Sequence, residues 1–275
     1  MSVLSNHINE LKASEAFSKQ SKVFDQVYGE DTVVHYKRQR VREHMMGNLN
    51  AGSTILELNC GTGEDAIFFA QKGFSVHATD ILEDMLEVVK QKVSAYSLNQ
   101  KVSVEQCSFA ELDYLHHKGP FDAIFSNFGG LNCTRQLDKV LLSIKPLVNP
   151  GGTVTLVIIS KYCFWEFLLL FKGKFKTALR RLFANKGRKA HVEGGFFRCW
   201  YYSPSYVKKH LQKEFDLVAL EGLCTIVPPA YIEGFAENRP GIFSFLKRKE
   251  NKLKSKWPWK FIGDYYIITF RKRSG

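Results

Sequence analysis

Two apolar runs on either side of a glycine turn constrain the fold of this chain most. The first run, residues 55–58, leads into a turn bounded by Gly61 and Gly63. A helical pattern follows the turn, and the second run, residues 74–79, ends at Asp80. Strand, glycine turn, helix, strand and acid in this order predict a parallel βαβ unit.

The residues of this unit indicate what could bind at its edge. Glycines at 61 and 63 let the backbone approach a ligand that a Cβ atom would repel. Asp80, at the tip of the second strand, is placed to accept both hydroxyls of a ribose. Glu57, in the first strand, would repel a pyrophosphate but suits a cationic amino acid group. A dinucleotide and S-adenosylmethionine both fit the pattern, and Glu57 favours the second.

The unit resembles the class I S-adenosylmethionine-dependent methyltransferases. Their first motif is an acidic residue, two or three further residues, and Gly-x-Gly, which residues 57–63 match. Residues 78–86 resemble the second-strand motif of the family, and they include its methionine, Met85. The resemblance implies a Rossmann-like three-layer α/β sandwich. Its mostly parallel seven-stranded sheet has an antiparallel last strand, and helical lid insertions are added to it.

The resemblance also implies a cofactor, S-adenosyl-L-methionine, and its product S-adenosyl-L-homocysteine. After the third strand, family members carry an Asp or Asn that accepts the adenine amino group. This chain has Ser108 there, next to the backbone N–H of Phe109. Family members often hold the methionine carboxylate with an arginine at the offset of Arg40, 17 residues before Glu57; Arg38 and Arg42 are rivals. The predicted cofactor residues are Tyr28, Arg40, Glu57, Asn59, Gly61, Gly63, Asp80, Ile81, Met85, Ser108, Phe109 and Asn127.

The whole chain, residues 1–275, is predicted to be one domain with lid or substrate insertions at about 1–45, 161–203 and 225–262. Alternating signals predict strands at 54–58, 74–79, 102–106, 121–126, 152–159, 215–221 and 264–270. Helices are predicted within 10–50 and at 64–72, 82–95 and 135–147, with another starting at Ser203. Residues 162–184 show an amphipathic pattern that predicts a single lid helix, and an extended ribbon is expected over 193–202.

Charge is concentrated in the second part of the chain. Residues 161–275 hold 24 Lys and Arg against 9 Asp and Glu, and residues 172–189 contain eight basic residues and no acidic one. This segment predicts contact with an acidic carrier protein or an anionic membrane surface, and a solvated basic face is the simpler alternative.

Aromatic residues in the predicted lid insertions favour a methyltransferase that acts on a small apolar or aromatic metabolite. O-methylation is the expected reaction. Its predicted substrate residues are Trp165, Trp200, Tyr202 and Tyr231, and His191 is the candidate base. Methylation of RNA or DNA is a second reading, supported by the basic segment. Against it, the fourth strand ends without the Pro-Pro or Pro-Cys turns of amino- and carbon-methylating enzymes. A third reading is a non-catalytic S-adenosylmethionine-binding protein, or a reaction without methyl transfer.

The cysteine spacing and the N-terminal residues indicate whether to expect a metal site, a signal peptide or a membrane span. Six cysteines are scattered without a Cys-x-x-Cys pair, so no metal site is expected. The N-terminal sequence lacks the features of a signal peptide, and no apolar run reaches 18 residues. The sequence therefore predicts a cytoplasmic protein.

Overall fold

A central sheet organises the computed structural model, which describes residues 8–17, 31–192 and 195–274. The strands are β1 (Thr54–Leu58), β2 (Ser75–Asp80), β3 (Val102–Gln106), β4 (Phe121–Ser126), β5 (Val148–Ile159), β6 (Arg188–Val192), β7 (Gly195–Cys199), β8 (Phe215–Leu223) and β9 (Tyr265–Lys272). Seven of them form one sheet in the order β3-β2-β1-β4-β5-β9-β8, and β6 and β7 form a separate hairpin. Neighbours from β3 to β5 are parallel, whereas β9 runs antiparallel to β5 and β8. The predicted fold class is confirmed.

Helices cover both faces of the sheet or join its insertions. They are α1 (residues 8–17), α2 (Thr32–Met46), α3 (Glu64–Gln71), α4 (Glu83–Ala95), α5 (Leu137–Ser143), α6 (Phe164–Phe167), α7 (Phe175–Ala178), α8 (Pro204–Leu211), α9 (Phe235–Asn238) and α10 (Pro240–Leu253). The spacing of Met85, Leu86, Val89 and Val93 explains how α4 packs, because these buried residues form one apolar stripe. None of the helices in the described ranges is both long and apolar enough to span a bilayer.

The segment predicted as one helix over 162–184 is broken, so that prediction is wrong. It contains α6, a 3₁₀ turn at Leu168–Lys172 and α7, with Gly173 at φ 69° between the last two. Arg180 and Arg181 both pair with the buried Glu166 of α6, at 2.6 and 2.7 Å. These ion pairs fold the segment back on itself, which a continuous helix would not allow.

Two further expectations change in detail. The ribbon expected over 193–202 is half of a hairpin, whose other strand, β6, the sequence pattern missed. The fifth strand begins at Val148 instead of residue 152, and the Pro-Gly-Gly sequence at 150–152 lies in a bulge inside β5. There the register with β4 jumps from Phe121–Val148 to Ala123–Thr153.

Candidate functional site

The glycine turn between β1 and α3 lies at the carboxyl edge of the parallel strands. Gly61 and Gly63 have φ angles of 55° and 75°, in the left-handed region that favours glycine. A Cβ atom on Gly61 would meet no atom of the described residues within 4 Å, whereas one on Gly63 would lie 2.8 Å from Val89 of α4. Gly61 therefore borders open space that a ligand could enter, and Gly63 is required for packing.

Asp80 closes this turn from the end of β2. Its Oδ2 accepts a hydrogen bond from the N–H of Gly61 at 3.0 Å, and Oδ1 accepts one from the N–H of Leu82 at 3.1 Å. Burial raises the pKa of Asp80, although these N–H groups act in the opposite direction. Each carboxylate oxygen keeps acceptor capacity, so the predicted contact with ribose hydroxyls fits this geometry and stays a prediction.

Glu57 of β1 provides the test of whether the site fits a cationic ligand group. Its side chain is buried, and Oε2 has no hydrogen-bond partner among the described residues. Burial, together with the neighbouring Asp65, raises the pKa of Glu57, against the opposing effect of nearby Arg38 and Arg42. A buried acceptor left without a donor is costly. The ammonium group of an amino acid moiety would satisfy it.

Asp65, in the first turn of α3, was missed by the sequence reasoning. Arg42 Nε lies 2.7 Å from its Oδ1, Arg38 Nη1 lies 3.1 Å from its Oδ2, and Asn127 Nδ2 donates to Oδ2 at 2.7 Å. Burial acts to raise the pKa of Asp65, but the two guanidinium groups lower it. The cluster joins α2 to the glycine turn. It also gives the predicted residue Asn127 a structural partner.

Arg40 points away from this cluster, and its predicted contact with the cofactor carboxylate does not fit the structure. Arg40 Nη2 lies 3.0 Å from Glu221 of β8, and Nη1 lies 3.6 Å from Glu250 of α10. Nη1 also donates to the Tyr36 hydroxyl at 3.0 Å. The guanidinium group is buried and already neutralised by two carboxylates, so Arg38 and Arg42 are the arginines at the site.

Glu250, which partners Arg40, is a fully buried carboxylate with an unusual number of donors. Its oxygens accept hydrogen bonds at 2.8–3.0 Å from the Tyr36 hydroxyl and from four consecutive backbone N–H groups, those of Cys224, Thr225, Ile226 and Val227. The carboxylate thus binds the segment that follows β8 to α10 and, through Tyr36 and Arg40, to α2. This cluster is structural.

Asn59 joins the ends of β1 and β4. It adopts a left-handed conformation with φ 49°. Its Oδ1 accepts a hydrogen bond from Ser126 Oγ at 2.7 Å, and its Nδ2 donates to the Asn127 carbonyl at 3.3 Å. The side chain therefore supports the shape of the edge, and its direct contact with a cofactor stays a prediction.

Four of the predicted cofactor residues follow the ends of the neighbouring strands β2 and β3 in the chain. Ile81, Met85, Ser108 and Phe109 are all buried, with at most 9% of each residue exposed. Ser108 donates a hydrogen bond to Glu10 of α1, a residue that no pattern in the sequence singled out. The N-terminal segment thus reaches this part of the edge. Tyr28, predicted to cover the cofactor, lies outside the described residues.

Two predicted substrate residues belong to the hydrophobic core instead. Trp200 and Tyr202 are at most 8% exposed and pack against core residues beside the sheet. Tyr202 also donates a hydrogen bond to the Thr134 carbonyl at 2.6 Å. Aromatic spacing alone could not distinguish packing from substrate contact. Trp165 of α6 and Tyr231, whose hydroxyl lies 3.8 Å from Cys163 Sγ, remain candidates on the lid.

His191, the candidate base, lies exposed on β6 with its ring centroid 4.5 Å from that of Phe196. An imidazole open to water is poorly suited to catalysis in a shielded site, so its position gives the predicted role no support. Within the described ranges, no group of three or more His, Cys, Asp or Glu residues is placed to hold a metal ion.

Comparison with known proteins extends these observations. Residues 55–152 match the family model described as a methyltransferase domain. A demethylmenaquinone methyltransferase from Oceanobacillus iheyensis is 27% identical over 172 residues, covering 55% of this chain and 71% of that protein. An S-adenosyl-L-methionine-dependent Diels-Alderase, iccD, from Talaromyces variabilis is 28% identical over 129 residues, covering 45% and 42%.

A solved structure gives the same fold. It is the Burkholderia thailandensis 1,6-didemethyltoxoflavin-N1-methyltransferase with bound S-adenosylhomocysteine, with a TM-score of 0.54 at 17% identity over 96% of this chain and 90% of that one. The chain spans about half the length of the first curated relatives it matches, 42–59%. Residues 55–152 nevertheless match a methyltransferase domain, with its glycine turn and acidic strand ends, and this match together with the shared fold supports a class I S-adenosylmethionine-dependent methyltransferase.

Proposed function

We propose that the protein methylates a small apolar or aromatic metabolite, with oxygen as the favoured acceptor atom, using S-adenosyl-L-methionine. The cofactor assignment depends on the buried Oε2 of Glu57, which has no hydrogen-bond partner within the described ranges, four residues before Gly61 and its open face. Both lie at the carboxyl edge of the parallel strands, where ligands bind in open α/β sheets.

Three charged side chains would hold the cofactor, which supplies a methyl group on a sulfonium when it is bound. Glu57 would take its ammonium group and Asp80 its ribose hydroxyls. We place the carboxylate on Arg38. Arg42 engages Asp65 through Nε and the Glu64 carbonyl through Nη2, whereas the ion pair of Arg38 with Asp65 uses Nη1. The two side chains are similarly exposed, at 20% for Arg38 and 19% for Arg42.

The preference for oxygen is supported by Lys37 of α2. Its ammonium group is buried over the rings of Phe128, at 5.4 Å, and Tyr265, at 5.1 Å. Phe128 directly follows Asn127, a predicted cofactor residue at the end of β4. A cation in this position would stabilise the ionised form of a hydroxyl or carboxyl group. Methyl transfer is an in-line displacement, so positioning and exclusion of water would supply most of the remaining catalysis.

Cofactor binding is the first expected result. Calorimetry should detect binding of S-adenosylhomocysteine and none of NAD. Asp80→Ala should lose roughly 1.5–3 kcal/mol of binding free energy, the range for a hydrogen bond to a charged group. Arg38→Lys should also weaken binding, because lysine cannot reproduce the planar fork of arginine.

The matched control for Asp80→Ala is Asp84→Ala, an exposed acid in the first turn of α4. It should bind like the wild type. Binding of NAD by the wild type would reject the cofactor assignment, and equal affinity in Arg38→Lys would reject the role of Arg38.

The reaction itself is tested by incubating the protein with methyl-labelled cofactor and a cell extract. Label should enter solvent-extractable small molecules, and its entry into RNA or protein would contradict the proposal. Lys37→Met should lose most of this transfer while it keeps affinity for S-adenosylhomocysteine. Retention of full transfer would remove Lys37 from the site.

A second candidate function keeps the cofactor but transfers no methyl group. The similarity to a cofactor-dependent Diels-Alderase favours keeping this candidate, although that match covers only 42% of the relative. Binding of S-adenosylmethionine without any formation of S-adenosylhomocysteine across the extract would favour it over methyl transfer.

For the basic segment we propose an anionic membrane surface as the partner. Phe171, Phe175 and Phe183 are 88, 62 and 73% exposed, beside exposed lysines at 172, 174 and 176. Exposed aromatic rings among lysines suit the lipid interface, whereas an acidic carrier would need only the charges. Arg180 and Arg181 do not belong to this surface. Arg181 is buried between Glu166 and Asp264, and Arg180 pairs with Glu166.

Sedimentation with vesicles tests this proposal. The wild type should co-sediment with anionic vesicles, less at high salt and not with neutral vesicles. The triple variant Phe171→Ser, Phe175→Ser, Phe183→Ser should lose most binding, while its affinity for S-adenosylhomocysteine stays unchanged. Tyr114→Ser removes another ring that is 79% exposed and should bind normally. Absence of wild-type co-sedimentation would reject the membrane surface.

A further inference from the structure

A carboxylate from α1 lies where the adenine subsite is expected. Glu10 is 3% exposed, and its Oε2 lies 2.5 Å from Ser108 Oγ, although the two residues are 98 positions apart in the sequence. Ser108 Oγ accepts a hydrogen bond from the N–H of Ala110 at 3.0 Å. When Glu10 is ionised, the single proton of that hydroxyl is therefore donated to Glu10.

Contacts on two sides hold α1 in this position. Asn9 Nδ2 donates to the Cys133 carbonyl at 2.6 Å, and Asn9 Oδ1 accepts from the N–H of Arg198 at 2.7 Å. Ala13 and Ala16 are buried in a cluster with residues of the β6–β7 hairpin and the loop after β4. Because the helix is anchored at both places, the carboxylate of Glu10 is presented at a fixed point of the edge.

The position of Glu10 beside Ser108 bears on the acid that this chain lacks after the third strand. In the family, an Asp or Asn after the third strand accepts the adenine amino group, and this chain has Ser108 there. A hydroxyl that already donates its proton is a weaker acceptor than a carboxylate. We infer that Glu10 replaces the missing acid and accepts a hydrogen bond from the 6-amino group of adenine, so that α1 completes the cofactor site. The inference rests on the proposed function, in which this edge binds S-adenosylmethionine.

The raised pKa of Glu10 predicts that cofactor binding depends on pH. Burial raises the pKa of Glu10 to about 8, although the Ser108 hydroxyl acts in the opposite direction. The titratable groups that face it are Asp80, Glu111 and the thiols of Cys107 and Cys133. Accepting an amino hydrogen favours the ionised carboxylate and so lowers its pKa in the complex. Binding should therefore release protons below about pH 8 and become tighter as the pH rises towards that value.

The experiment compares two ligands that differ at one position of the base. S-adenosylhomocysteine carries a 6-amino group, and S-inosylhomocysteine carries a 6-oxo group. The wild type should prefer the amino ligand by about 10–100-fold, the scale of a hydrogen bond to a charged acceptor. Glu10→Gln should weaken binding of the amino ligand and shift the preference towards the oxo ligand, because the glutamine amide can donate. Glu15→Gln, an exposed change on the same helix, should leave both affinities unchanged.

Each alternative gives a different result. Tighter binding of S-adenosylhomocysteine by Glu10→Gln would overturn the inference, because Glu10 would then block the subsite. An unchanged preference in Glu10→Gln, or no proton release by the wild type in buffers of different ionisation enthalpy, would also overturn it. Failure of the wild type to bind either ligand would instead reject the proposed function on which the inference rests.

Discussion

Glu250→Ala should lower the free energy of unfolding by about 3–5 kcal/mol, the cost of breaking a buried ion pair by removing one partner. The change removes the acceptor for the Tyr36 hydroxyl and for four backbone N–H groups in the segment that follows β8. It also leaves the buried guanidinium of Arg40 with one carboxylate, that of Glu221. Urea unfolding followed by circular dichroism measures the loss.

Two further variants separate the causes of that loss. Glu233→Ala changes an exposed acid and should stay within about 0.5 kcal/mol of the wild type. Combining Glu250→Ala with Arg40→Met should recover part of the loss, because the buried guanidinium group that keeps only the Glu221 carboxylate is then absent. A loss below about 1 kcal/mol in Glu250→Ala would show that water replaces these hydrogen bonds and that the cluster contributes little.

The two glycines of the turn should respond to alanine in opposite ways. Gly63→Ala places alanine in a left-handed conformation, which lowers the free energy of unfolding by about 1–2 kcal/mol. It also places a Cβ atom 2.8 Å from Val89, and this overpacking lowers the free energy of unfolding by a further amount of about 1–3 kcal/mol. Gly61→Ala carries only the conformational cost, because no atom in the described part of the chain lies within 4 Å of the new atom. That atom would, however, occupy the space offered to the cofactor.

We therefore expect Gly63→Ala to lose the more stability and Gly61→Ala to lose at least tenfold in affinity for S-adenosylhomocysteine while it stays folded. Urea unfolding and calorimetry on the same two preparations give both quantities. Normal cofactor binding by Gly61→Ala would mean that the ligand does not approach the turn from this side. Equal stability of the two variants would mean that Val89 moves aside at little cost.

The first half of the sheet could be predicted closely from the sequence, because its signals are local. Strands β1, β3 and β4 have the predicted bounds, and β2 differs by one residue. The predicted lid helix failed because its apolar spacing was counted across Gly173 and could not reveal the ion pairs to Glu166. Short-range periodicity carries no information about such pairings.

Arg40 shows a different limit of sequence reasoning. An offset along the chain identifies a helix but not the face of that helix. Arg38 and Arg42 are four residues apart and share one face, whereas Arg40 is about 200° away from Arg38 at 100° per residue. Asp65 and the glycine turn face the first pair, and Glu221 and Glu250 face Arg40. Glu10 escaped notice for a related reason, since its partner lies 98 residues later.

The two faces of α2 also differ in when their partners are synthesised. The ion pairs of Arg38 and Arg42 with Asp65 join residues 27 and 23 positions apart. The bonds from Arg40 to Glu221 and from Tyr36 to Glu250 span 181 and 214 positions. A ribosome adds about 5–20 residues per second, so the second set of partners arrives roughly 10–40 s after α2. The helix can therefore attach to the nascent glycine turn first, while its Arg40 face waits in water for the last part of the chain.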